Sequence, residues 1–181
     1  MHLIPLRRGL LAALVCLLPV ADAGADSKER IDAGVARTLE WFAGTRETRS
    51  LVKRAKAILV FPDVIEMGFG VGGEFGEGAL VVDGEIEAYY ATAGKTFGMP
   101  ERSPFKGEAV FFFSEAGLAA FRQIRTWRPA RHGLVRVVND PDEIRDALRD
   151  KSPLVGLIFT ENGIVGGLDM ATDRITRIIR E

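Results

Sequence analysis

Between residues 68 and 78 the chain reads GFGVGGEFGEG, with six glycines in eleven positions. Such a run either cradles a ligand phosphate or clears space for another backbone, and the residues after it discriminate between the two. Gly68-Phe69-Gly70-Val71-Gly72-Gly73 matches the spacing of a dinucleotide fingerprint. That fingerprint needs a strand before it and a helix after it, so that the helix N-terminus meets the pyrophosphate. The sequel here, EFGEGALVVDGEIEAYY, is extended chain, with a hairpin signal at Asp83-Gly84. Glu87, about twenty residues on, falls in that hairpin and not at the end of a second parallel strand. No Gly-Lys-Ser/Thr comes next that would make a Walker loop. Gly68, Gly70 and Gly72 alternate and therefore share one face of a strand, which Gly76 and Gly78 extend. A face without side chains admits a neighbouring segment or a sharp bend of the sheet. The same device is expected at Gly163, Gly166 and Gly167.

The flanking pattern places this sheet in one α+β domain. Asp26 and Glu29 form a D-x-x-E capping signal, and Ile31, Val35, Leu39 and Phe42 recur at helical spacing, which predicts an amphipathic helix over 27–43. A second short helix is expected over 46–56, then a buried strand, AILVF, stopped by Pro62. Residues 79–92 read as two strands around Asp83-Gly84, and EAVFFFS over 108–114 as another. Ser114 caps a predicted helix with Leu118, Ala120 and Phe121 inward. GLVRVV is a further strand, and Asp140, Pro141 and Glu143 open a short helix. PLVGLIFTENGIVGGLDM forms a hairpin turning near Asn162-Gly163, and RITRIIR is either strand or helix. The expected fold is a strongly curved, mostly antiparallel, glycine-rich sheet or a barrel-like sheet, with N-terminal amphipathic helices and two further short helices.

Residues 1–23 read as a secretory signal peptide: Arg7 and Arg8, a short apolar run, then Ala21-Asp22-Ala23 at the cut, with Ala23-Gly24-Ala25 as a second site. The context of Cys16, Ala13-Leu14-Val15, lacks the small residue and the placed leucine of a lipobox, so no lipoprotein is expected. Cys16 is the only cysteine, so residues 24–181 have neither disulfide nor thiol chemistry. The expected location is periplasmic or extracellular, with peripheral membrane association. A formal charge of −1 gives no general affinity for nucleic acid.

The glycine pattern and its surroundings resemble the SYLF domain, the lipid-binding and actin-binding domain of yeast SH3-containing actin-patch proteins. The resemblance runs from Ala55 and Ala57 through Phe61-Pro62, Gly68-x-Gly70-x-Gly72-Gly73 and Gly76-x-Gly78 to Tyr89 or Tyr90, and returns in the closing hairpin, covering about 28–179. It implies a non-enzymatic domain that binds anionic, phosphatidylinositol-type phospholipid and uses no cofactor. Actin is not an expected partner of an exported bacterial-type member. The chain departs from the family at Thr96-Phe97-Gly98-Met99-Pro100, where a Gln and a second Gly are replaced.

Candidate binding residues come from charge. No acidic residue lies between Glu115 and Asp140, whereas Arg122, Arg125, Arg128, Arg131 and Arg136 do, with Trp127 and His132. The three-residue spacing of Arg122, Arg125 and Arg128 sets them on neighbouring faces of a helix end. Guanidinium forks suit phosphate oxygens, and Trp127 suits a membrane interface. Lys53, Arg54 and Lys56 form a second basic cluster. The competing reading is an ordinary solvated face at a cation-favouring helix C-terminus, in an envelope adaptor that binds another protein. Catalysis would have to centre on His132, and no serine has a nucleophile-elbow context. No HExxH, DxDxDG or paired-histidine spacing points to a metal.

Overall fold

The structure, a computed structural model, describes residues 26–67, 72–95, 105–168 and 170–181. The expected signal segment, Cys16, Gly68, Gly70 and the 96–100 departure lie outside the described residues. The first helix, α1 (Lys28–Gly44), is capped by Ser27, whose hydroxyl accepts from the Arg30 amide at 3.3 Å. Asp26, the expected cap, instead pairs with Arg30 at 3.3 Å. One turn away Thr48 donates to the Phe42 carbonyl and Arg49 to those of Ala43 and Gly44, which satisfies the open carbonyl end of α1. Helix α2 (Arg49–Arg54) comes next and buries Leu51 completely.

Strand β1 (Ala57–Met67) is paired on both sides, by β2 (Gly73–Val82) and by β4 (Phe105–Phe112). It does not stop at Pro62, as the sequence suggested. The register shifts between Val60 and Asp63 toward β2, and between Phe61 and Val64 toward β4. Pro62 thus sits in a bulge where no ladder N–H is required of it. Strand β3 (Glu85–Lys95) returns from β2 through Asp83 (φ 51°) and Gly84 (φ 87°), the two positive dihedrals of the turn that matches strand twist. After β4 come α3 (Glu115–Gln123), β5 (Thr126–Trp127), a single π-helical turn (Pro129–Gly133), β6 (Arg136–Val138) and α4 (Pro141–Arg149). The chain ends in β7 (Leu154–Thr160), β8 (Gly163–Ile164) and β9 (Arg174–Ile178), so the tail is a strand.

The strands run β5-β9-β3-β2-β1-β4-β7-β6, with β8 paired to β7, in one strongly curled half-barrel sheet. Every pair is antiparallel except β6 with β7. Both faces are covered, which explains why AVFFF does not alternate with polar residues. Ala109 and Phe111 point outward, beneath the Ile31, Val35 and Phe42 stripe of α1 and beneath Ile144 of α4. Val110 and Phe112 point into the half-barrel, against Phe121 and Leu118 of α3 and against Trp127. Ala120, expected inward, is exposed.

The glycines divide by purpose. A Cβ on Gly78 would overlap the Val60 carbonyl oxygen, and one on Gly76 would lie 2.8 Å from the Asp63 oxygen. Both are bare because the bulged backbone of β1 comes too close for a side chain. Gly72 precedes β2 and Gly73 opens it, so no helix succeeds the glycine run. In the second hairpin the reason differs from the one expected: Gly163 (φ 119°) and Gly167 (φ 77°) have open space around them and serve backbone dihedrals that L-residues avoid. Only Gly166 there is tightly approached, at 3.3 Å from Asn139.

Candidate functional site

Two charged features stand out: an arginine-rich sheet edge and a buried acidic cluster inside the half-barrel. The edge is built by β5 and β9. Thr126 pairs with Thr176 and Trp127 with Ile175. Continued by one residue each way, this register sets Arg125 opposite Arg177 and Arg128 opposite Arg174. Arg125, Arg131, Arg174 and Arg177 are exposed and Arg128 is half-buried. Among the described residues no ion pair engages any of these five. No acidic residue occurs in 174–180 either, so the second strand doubles the acid-free stretch found in the sequence.

The expected helical grouping is corrected. Helix α3 ends at Gln123, so Arg125 lies in the bend after it and Arg128 beyond β5. Arg122 remains on the helix and is committed to Glu87 through a forked ion pair, with its Nε 2.8 Å from one carboxylate oxygen. Arg136 is likewise engaged, by Asp150 at 2.8 Å. Trp127 is no surface anchor. It is 2 % exposed, with its ring edge-on to Phe121 at 5.3 Å, because its register partner on β9 is Ile175, whose side of the sheet is the concave one. Lys53, Arg54 and Lys56 sit elsewhere, at the α2–β1 junction. Lys53 and Arg54 are exposed, Arg54 reaching the Leu148 carbonyl at 3.4 Å, and Lys56 lies 3.9 Å from Glu115 at the opposite end of α3 from the arginine edge. His132 is exposed, and its Nδ1 accepts from the Arg128 amide at 3.1 Å.

Sequence reasoning missed Leu134. The amides of Arg131 and His132 bond back to the Arg128 carbonyl at 3.1 and 2.9 Å, and this closed turn delivers Leu134 with φ 47° and ψ 51°. Its side chain is 78 % exposed. A left-handed conformation costs an L-residue about 1–2 kcal/mol, and an exposed leucine forgoes the benefit of burial. The chain therefore holds an apolar side chain outward beside Arg131 and His132. The sequence signal was a leucine directly after the glycine that ends the basic run, obscured by its resemblance to the start of a strand.

The second feature lies on the concave face, toward the end of the half-barrel where Asp173 leads into β9. Lys106 Nζ is 2.7 Å from Glu74 Oε2 and 2.8 Å from Glu108 Oε1. Asp173 completes the group, and carboxylate oxygens from Glu74, Glu108 and Asp173 lie within 4.8 Å of one another. All four residues are buried, Glu108 completely. Burial, together with the negative charges of Glu108 and Glu74, pushes Asp173 up to about 10, against the lowering effect of Lys106. Burial also raises Glu108, and Lys106 only partly offsets it. For Lys106 itself burial favours the neutral amine, but Glu108 and Glu74 outweigh it and keep the ammonium charged. The four residues come from β2, β4 and the approach to β9, separated by up to about a hundred positions, and no local pattern announces them.

Compared with known proteins, the chain matches no family model and no curated protein sequence.

Proposed function

We propose that this is an exported, non-enzymatic domain of the SYLF type that binds anionic phospholipid surfaces through its β5–β9 edge, with Leu134 as the inserted apolar tip. The observation that carries the reading is the outward-held Leu134 at the end of the turn that carries Arg131, on an edge whose Arg125, Arg128, Arg174 and Arg177 have no carboxylate partner among the described residues. Guanidinium groups without internal partners are available to phosphate oxygens, and an apolar side chain flanked by cations suits the boundary between headgroups and acyl chains. Trp127 has a supporting role: buried beneath the edge, it fixes β5, the strand that Arg125 and Arg128 flank. Among the described residues no helix is long and apolar enough to cross a membrane, so the association is peripheral in this reading.

Flotation with phosphatidylcholine vesicles, with and without phosphatidylserine or a phosphoinositide, tests it. Each basic residue near an anionic surface contributes about 1 kcal/mol, so Arg125→Gln with Arg128→Gln should weaken binding roughly tenfold to thirtyfold at low salt. That loss should shrink as salt shortens the Debye length to about 8 Å. Leu134→Ser removes a contribution of about 1.5–3 kcal/mol that salt does not screen. Absence of binding to anionic vesicles, or binding indifferent to all three substitutions, overturns the proposal and favours a protein-binding adaptor.

A further inference from the structure

The interior cluster is unusual because its charges do not balance and its oxygens are not all used. Glu74, Glu108 and Asp173 face a single ammonium, Lys106. With every carboxylate ionised, the concave face would hold two uncompensated negative charges out of reach of water, and burial of unpaired charge is prohibitive. Lys106 takes up one oxygen of Glu74 and one of Glu108. Neither oxygen of Asp173 receives a donor group, and both stand against the carboxyl groups of Glu74 and Glu108; neither oxygen of Glu108 is in hydrogen-bonding alignment, although one contacts Lys106.

An independent observation comes from outside the acidic set. Thr92 is completely buried and its hydroxyl oxygen has no partner. It lies on β3 between Gly76 of β2 and Ile175 of β9, on the concave face. On β3 Thr92 stands two residues from Gly94, which is the register partner of Glu74, so it shares the concave face with the acidic cluster one position along the strand. The neighbouring wall is cleared as well. A Cβ on Gly94 would overlap Asp173 Oδ1 and come within 2.9 Å of Glu74 Oε1, which places those two oxygens together over a glycine.

We infer that Glu74, Glu108, Asp173 and Thr92 form a binding site for one hard divalent cation, of which calcium fits best. Two positive charges neutralise the cluster while Lys106 keeps its own two contacts. The donors are all oxygen, which selects calcium, magnesium or manganese over softer ions. Calcium accepts an irregular protein-supplied oxygen set at about 2.3–2.6 Å, whereas magnesium keeps much of its water and resists such a cage. The carboxylate oxygens lie within 4.8 Å of one another, close enough for one ion to contact all three residues at about 2.4 Å. The ion would tie β2, β3 and β4 to the lead-in of β9, the strand that completes the arginine edge.

The test is calorimetric titration of chelator-treated full chain with calcium chloride, repeated with magnesium and manganese, alongside thermal melting. One calcium per chain should bind, and the melting temperature should rise with its concentration. Asp173→Asn should lower calcium affinity by about tenfold or more and remove the melting response. This variant keeps the shape of the side chain and adds no buried charge, so it should fold. Thr92→Val, which keeps the side-chain shape and removes only the hydroxyl, should lower affinity less. The inference is overturned if no cation produces binding heat or a melting shift, or if binding is the same in both variants. It is equally overturned if Asp173→Asn raises the melting temperature of a protein that ignores calcium, because protons alone would then neutralise the cluster.

Discussion

Gly78→Ala is the most direct test of why the chain is so rich in glycine. The new methyl would overlap the carbonyl oxygen of Val60 and stand 2.7 Å from its carbonyl carbon and 2.8 Å from Phe61 Cδ1. The first two are backbone atoms of a strand paired on both sides, so no side-chain rotation relieves the conflict. Overpacking of a well-filled site costs about 1–3 kcal/mol, and the immobile backbone puts this case at the upper end. Replacing glycine also restricts the unfolded chain and returns about 0.4–1 kcal/mol. The net loss is therefore about 2 kcal/mol, or roughly 4–8 °C in melting temperature for a domain of this size. Thermal and urea unfolding followed by circular dichroism measure it. Gly44→Ala is the matched control, because the last residue of α1 has nothing within 4 Å of the added atom, and it should gain about 0.4–1 kcal/mol. If Gly78→Ala melts with the parent while Gly44→Ala behaves as expected, close backbone approach is not the reason for the bare face.

Lys106→Met should destabilise the protein by about 3–5 kcal/mol at neutral pH, because it leaves Glu74 and Glu108 buried without a counter-charge; urea denaturation reads this directly. Leu134→Gly should separate stability from binding: relief of the left-handed backbone raises stability by about 1 kcal/mol, while vesicle affinity falls. Asp32 accepts from Lys28 and Tyr89, at 2.8 and 2.7 Å, and these contacts outweigh burial to hold its carboxyl below the ordinary value. A depressed carboxylate stabilises the fold above its unfolded pKa of about 4 and loses that contribution as pH falls through the folded value. Asp32→Asn should accordingly flatten the acid limb of a stability–pH curve. Trp127→Ala should cost about 3–5 kcal/mol as a large-to-small core substitution, where a surface anchor would lose membrane affinity with little change in melting.

Features set by residues a few positions apart were legible in the sequence. Ser114 and Asp140 cap their helices, with Asp140 accepting from the amides of Asp142 and Glu143 at 2.8 Å. Asp83-Gly84 turns its hairpin as expected, and the second hairpin turns at Glu161-Asn162, one residue before the expected pair, with Gly163 opening β8. The α+β class and the curled sheet came from the same local signals together with the glycine alternation. Features requiring a distant partner were not legible. Pro62 reads as a strand terminator until both neighbours of β1 are known to slip register beside it. Trp127 among arginines reads as an interface residue, because composition does not tell which side of a two-residue strand faces the core. Arg174 and Arg177 join the basic edge only because β9 crosses to pair with β5.

Both charged features depend on the curl that the glycines permit. Gly76 and Gly78 let β2 press onto the bulge of β1, and the sheet turns sharply there. Curling shortens the concave face, so residues from well-separated strands converge on it. Glu74, Lys106 and Asp173 meet although β4 and β9 lie four strands apart in the sheet order. On a flat sheet, four steps of about 4.8 Å would keep those strands roughly 19 Å apart, beyond the reach of any carboxylate pair. The same curl sends Trp127 inward as a plug between Phe112 and Phe121, which turns the succeeding backbone out through the π-helical turn to Leu134. Gly76 and Gly78 therefore have a structural reason to be glycine. In the proposed reading they act on binding at a distance, by fixing the curvature that gathers acids within the half-barrel and arginines along its edge. A substitution at Gly78 that preserved folding but flattened the sheet would loosen both at once.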